Sequence, residues 1–178
     1  MVKKTLIAAS LFALAGSAFA ADGTIQFTGA FTDAPCEINI NGSTTNTTNS
    51  VSVALDTWNA ANFKDNVGAT TDLKPITISL SGCPNMTKAN IQFNGATDAV
   101  NPTLFATQTG ADTATNVGIA LYSSANSADV ITPNTRSLSI PLTAQTGQYT
   151  IYASYMTTGA TVGQGAANAD VTMDISYE

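Results

Sequence analysis

Cys36 and Cys83 are the residues of this chain best suited to covalent chemistry, and they lie 47 positions apart in a sequence without histidine. Zinc sites gather cysteine and histidine ligands at short spacings, so two distant thiols do not make one. A nucleophilic serine or thiol usually passes its proton to a histidine, and none is available. In an oxidising compartment the expected outcome is one Cys36–Cys83 disulfide. Chain entropy gives a loop of that size about 4 kcal/mol, a large share of the roughly 5–15 kcal/mol that holds a typical domain together.

The remaining polar residues point away from catalysis. Serines, threonines and aspartates are scattered through turns and surface positions, and no glycine-rich phosphate loop precedes a helix. Asp170 and Asp174 are four apart, which on a strand places both on one solvated face. Asn41, Asn46 and Asn85 each open an Asn-x-Ser/Thr triplet; in a Thr/Asn-rich chain such triplets arise by chance. The expectation is no enzyme, no metal and no cofactor.

The elements that carry these residues begin with an export signal. Lys3 and Lys4 precede an apolar run from Leu6 to Leu14 broken only by Ser10, and Ala18-Phe19-Ala20 supplies the small residues of a cleavage site. A membrane-spanning helix would need about 20 apolar residues. Residues 1–20 therefore read as a secretory signal peptide, and no later segment is apolar enough to span, so the product is not membrane-embedded. Removing them from 178 residues leaves 158, enough for one core. Four basic residues then face twelve acidic ones, a net charge of −8. That balance excludes tracking a nucleic-acid backbone and disfavours anionic membranes.

Most of the remaining chain alternates apolar and polar residues at period two. Such runs carry Ile25 and Phe27, Val51 to Leu55, Ile76 to Leu80, Ile91 and Phe93, Val117 to Leu121, Leu138 to Leu142, Tyr149 to Tyr155, and Val171 to Tyr177. Asn94-Gly95 is a hairpin signal, and Pro141 implies a strand end or sheet edge. Only Trp58 to Lys64 hints at a helical turn, and residues 41–50 read as an exposed loop. Short strands between Gly, Asn and Ser turns predict an all-β sandwich or barrel.

Several motifs together resemble the shaft proteins of chaperone–usher fimbriae, the type 1-like pilus subunits. They are the opening Asp22 to Gly29 followed by Asp33-Ala34-Pro35-Cys36, the run Ile78 to Cys83, Ala114 to Ile119, Tyr155 to Gly159, and Gly165 to Asp170. Gly165, fourteenth from the last residue, and penultimate Tyr177 match the family's carboxyl-terminal signature, with Val171, Met173 and Ile175 alternating between them. The resemblance runs over residues 22–178.

It implies an incomplete immunoglobulin-like sandwich lacking its final strand. Residues 21–32 would be a donor-strand extension, with Gly23, Ile25, Phe27 and Gly29 entering a neighbour's groove, and residues 33–178 the pilin domain. Val171, Met173, Ile175 and Tyr177 would form the groove strand that a periplasmic chaperone binds, and the Glu178 carboxylate would meet basic chaperone residues. Implied partners are copies of itself, other pilus subunits, the chaperone and an outer-membrane usher, with passage through the periplasm to a surface fimbrium. The alternative is a minor or tip subunit acting as a carbohydrate-binding adhesin. Family adhesins carry an extra binding domain, for which this chain has no room.

Overall fold

The computed structural model describes residues 36–45 and 50–178. The expectations for the signal peptide, for residues 21–32 with Gly23, Ile25, Phe27 and Gly29, and for Asn46 lie outside the described residues. Within them the strands are β1 (Glu37–Ile40), β2 (Ser43–Thr45), β3 (Lys74–Ser81), β4 (Lys88–Asn94), β5 (Phe105–Ala106), β6 (Val117–Tyr122), β7 (Val130–Ile131), β8 (Arg136–Pro141), β9 (Gly147–Thr157) and β10 (Thr172–Tyr177); β3, β4, β6, β8, β9 and β10 fall on the period-two runs, and β1, β2, β5 and β7 lie outside them. One 3-10 turn, Ala60–Phe63, falls where the sequence hinted at helix and is capped by the Asn59 side chain.

The strands form two antiparallel sheets. The larger runs β2-β1-β3-β9-β6-β5, with β7 also on β6, and the smaller runs β10-β4-β8. Alternation dictates what lies between them. Ile76 and Ile78 on β3, and Ile151 and Ala153 on β9, face Ala89 and Ile91 on β4 and Leu138 and Ile140 on β8 in one buried cluster. Each such aliphatic side chain contributes roughly 1.5–3 kcal/mol when withdrawn from water. A second, smaller cluster of Leu104, Ala120 and Tyr122 sits apart from it. There the buried Tyr122 hydroxyl finds a partner in Ser154 Oγ at 3.2 Å, as a buried polar group requires.

Two expectations about turns are corrected. Asn94-Gly95 makes no hairpin, because β4 pairs with β10 and β8 rather than with the next strand. The Asn94 amide is taken by Asp174 Oδ2 at 2.7 Å and by Gln92. Gly95 lets the chain pass Phe105, whose ring carbon would stand 2.9 Å from an added Cβ. The hairpin signal that is used is Asn41-Gly42, inside the stretch read as loop. Both residues have positive φ, 50° and 86°, and they join β1 to β2 in the turn that matches strand twist. The expected strand at Val51 to Leu55 is also corrected. The segment keeps its alternation, with Ser52 and Ala54 exposed and Val53 and Leu55 packed on the core, yet it joins no ladder among the described residues.

A candidate strand-acceptor groove

Among the described residues β10 is hydrogen-bonded along one edge only. Its six residues pair with β4 from Thr172↔Asn94 to Tyr177↔Ala89, and its other edge has no strand among the described residues. Unpaired N–H and C=O groups on a strand edge template the addition of another strand. Beside that edge lies a cleft of about 550 Å³. Val171 and Met173 line one wall, Ser50 to Val53 and Leu55 the other, and Ile78, Ile119, Leu121 and Ile151 are among its floor residues. The Ser50 to Leu55 wall, whose side chains alternate in and out as on a strand, likewise has no ladder among the described residues. At about 3.3 Å per residue its six residues span about 20 Å, the length of a short added strand.

The far wall is held at its end. Asp56 adopts a positive φ of 63° and turns the chain away. The Trp58 indole N–H donates to the Leu55 carbonyl at 2.8 Å, and the Trp58 ring meets Phe63 edge-on with centroids 6.3 Å apart. A second cavity of about 490 Å³ lies beyond, lined by Trp58, Phe63 and Gly163 to Asn168. Tyr155, Ala167 and Asn168 line both spaces, so the two adjoin. The Tyr155 hydroxyl donates to the Ala167 carbonyl at 3.0 Å, and desolvation by burial pushes its pKa above the ordinary 10.0.

The structure distributes the residues expected to matter as follows. Cys36 and Cys83 form the disulfide, with both cysteines buried. Met173, Ile175 and Tyr177 all turn toward the core cluster, but only Met173 of the three lines the cleft, together with Val171. The Tyr177 hydroxyl accepts the Cys36 N–H at 3.1 Å. Glu178 is tied within its own chain. Its backbone N–H donates to Lys88 O, its main-chain oxygen accepts from Thr87 N and Lys88 N, and its carboxylate meets Lys88 Nζ at 2.8 Å and Asn90 Nδ2 at 2.9 Å. The ion pair is half-exposed and contributes little by itself.

Gly165 has a structural reason. Its φ is +145°, and an added Cβ would lie 2.5 Å from Thr113 C and 2.6 Å from Asp112 O. Only a residue without a side chain allows that approach, which brings Ala166 O to Ala114 N and Ala166 N to Asp112 O, each at 2.9 Å. The anchoring role of Trp58, and the lack of a ladder at Ser50 to Leu55 among the described residues, are what the sequence does not reveal. Single aromatic residues carry no periodicity, and the Val51, Val53, Leu55 alternation marks an inward face without saying whether the backbone is paired.

A family-wide sequence model described as Fimbrial protein matches residues 25–178. The chain is 38% identical to Long polar fimbria protein A of Salmonella typhimurium, covering 100% of this chain and 98% of that one. Among solved structures, an antigen and type I fimbria protein of Burkholderia pseudomallei is 32% identical with a TM-score of 0.58, over 87% of this chain and 97% of that one. The P pilus rod subunit PapA shares the fold at 15% identity, with a TM-score of 0.61 over 82% of this chain and 100% of that one.

Proposed function

Because the chain belongs to the fimbrial protein family and is a structural pilus subunit with the immunoglobulin-like fold, we propose that it polymerises by strand addition into the cleft beside β10. The observation that carries this reading is the pairing of an unladdered β10 edge with an apolar floor. An added strand would hydrogen-bond to β10 and to the Ser50 to Leu55 wall while covering Ile78, Ile119 and Ile151. This is recognition by strand augmentation, in which main-chain bonds supply affinity and alternate side-chain pockets supply specificity.

The proposed donor is residues 23–29 of the next copy. Ile25 and Phe27 would fill the floor, together contributing roughly 3–6 kcal/mol, and Gly23 and Gly29 let backbones approach. Before assembly a periplasmic chaperone would lend a strand to the same cleft, engaging Val171, Met173, Ile175, Tyr177 and Glu178, and an outer-membrane usher would direct the exchange. The signal peptide at residues 1–20 would place the chain in the periplasm on its way to the surface fimbrium. No catalytic role is proposed. The tip-adhesin alternative has less support than the shaft role, since the relatives include a major-subunit protein and pilus rod subunits.

The test is direct. The mature, disulfide-bonded chain should bind a synthetic peptide of residues 21–32 and unfold at a markedly higher temperature with it. A peptide carrying Phe27→Asp should do neither. Equal behaviour of the two peptides would remove residues 23–29 as the donor.

A further inference from the structure

We infer that the Tyr177 hydroxyl is a positioning group that couples β10, the strand beside the acceptor groove, to Cys36 at the amino-terminal end of β1. The Tyr177 hydroxyl accepts the Cys36 N–H at 3.1 Å across 141 positions of sequence. Tyr177 is the last residue of β10, the strand that borders the groove at its other end through Met173. Cys36 immediately precedes β1 at its amino-terminal end. The joint is rigid on both sides. Cys36 is bonded to Cys83, and the Cys83 N–H is in turn fixed on Gln145 O at 3.0 Å. Glu178, next after Tyr177, is held on β4 through Lys88 and Thr87.

Nothing in a strand-acceptor groove requires that hydroxyl. The ring of Tyr177 packs on the core cluster, and phenylalanine would serve there equally. The oxygen adds one thing, a link from β10 to the amino-terminal end of β1. When a strand enters the groove, β10 becomes paired on both edges and its end frays less. Through Tyr177 that order passes to Cys36 and to the disulfide behind it, whose two cysteines are 5% and 3% exposed. One joint of the polymer thereby steadies the base of the next. This deepens the groove reading above and rests on it.

The experiment compares wild type with Tyr177→Phe as mature, disulfide-bonded chains, each with and without the peptide of residues 21–32. Amide hydrogen exchange at Cys36 and the rate of disulfide reduction by dithiothreitol are followed. In the chain without peptide, Tyr177→Phe should speed Cys36 exchange about three- to tenfold, the effect of losing one neutral hydrogen bond, and leave Cys83 exchange unchanged. Peptide should slow reduction in wild type, and that protection should shrink by a similar factor in Tyr177→Phe although the peptide still binds. Tyr149→Phe, which loses a phenol bond to Ser123 O, should behave as wild type. Cys36 exchange unaltered in Tyr177→Phe, or accelerated equally at Cys83, overturns the inference. Should Tyr177→Phe not fold, wild type decides alone: peptide must slow exchange at Cys36, and no change there is a refutation. If the peptide does not bind wild type, the groove reading fails, while the link itself stands or falls on Cys36 exchange in the free chains.

Discussion

The Trp58 indole N–H donates to the Leu55 carbonyl oxygen at 2.8 Å, and that bond ends the unladdered wall of the cleft where Asp56 turns the chain. It holds in place a segment that no strand pairing supports among the described residues. Trp58→Phe keeps an aromatic ring against Phe63 and removes the donor. The loss of a neutral hydrogen bond, about 0.5–1.5 kcal/mol, should weaken binding of the peptide of residues 21–32 by about three- to tenfold, measured by calorimetry. An unchanged affinity would show that the wall needs no anchor.

Donor and acceptor defects should separate. Phe27→Asp would bury an unpaired charge in a neighbour's cleft, so these monomers should not polymerise yet should still co-purify with chaperone. Met173→Asp puts the charge in the acceptor, where both chaperone and donor would bind, and should abolish both. Co-purification and fibre assembly of the two variants check this; a Phe27→Asp chain that loses its chaperone as completely as Met173→Asp would contradict it.

The disulfide closes a loop over β1, β2 and the wall. Cys36→Ser should cost about 4 kcal/mol by chain entropy. For a sandwich whose β10 edge borders an apolar cleft that leaves little, so periplasmic subunit should fall and surface fibres vanish. Fibre yield by electron microscopy reads the result.

Gly165→Ala forces a side chain into the Asp112 to Ala114 backbone at a φ that alanine avoids. Strain of about 1–3 kcal/mol and overpacking of similar size correspond to a fall in Tm of about 5–15 °C for a chain of this length. Thermal unfolding of the peptide-bound chain measures it, and a shift under 2 °C, by the same scaling, would mean the strap relaxes freely.

Much of this architecture is written in the residues. β3, β6, β9 and β10 follow from alternation of Ile, Val, Leu and Tyr, because a half-buried strand must alternate. What stayed hidden depends on partners far away in the chain. Asn94-Gly95 has the composition of a hairpin, but Asp174 and Phe105 decide its fate. β2 carries only Ser43, Thr44 and Thr45, the first two exposed, so no apolar pattern betrays it. Val51 to Leu55 alternate as a strand does, because side-chain burial obeys the core even where the backbone lacks a partner. The cleft itself is an unpaired place, and periodicity reports only what faces inward.

Tyr155 offers a reading in pH. Burial raises its pKa in the folded state above 10.0, so the folded chain keeps a proton that the unfolded chain releases. The associated stability is fully present below the unfolded value and is lost as pH rises through the folded one. Denaturation midpoints followed between pH 9 and 12 should therefore fall with pH above about 10, and Tyr155→Phe should flatten that fall while lowering the plateau through loss of the Ala167 bond. A slope identical in both chains would assign the pH dependence to other groups.

The short edges elsewhere in the sheets have a consequence for the shape of the assembly. β2 is three residues long and β5 two, and β8 ends on Pro141, which has no N–H to donate. Among the described residues the open β10 edge is thus the one bordered by an apolar cleft and fit to capture a strand. In the terms of step-growth polymer chemistry, the subunit with its proposed donor is an AB monomer of functionality two. Such monomers cannot branch or crosslink. They yield unbranched threads with a polarity, and their length is governed by the supply of units bearing only one of the two functions.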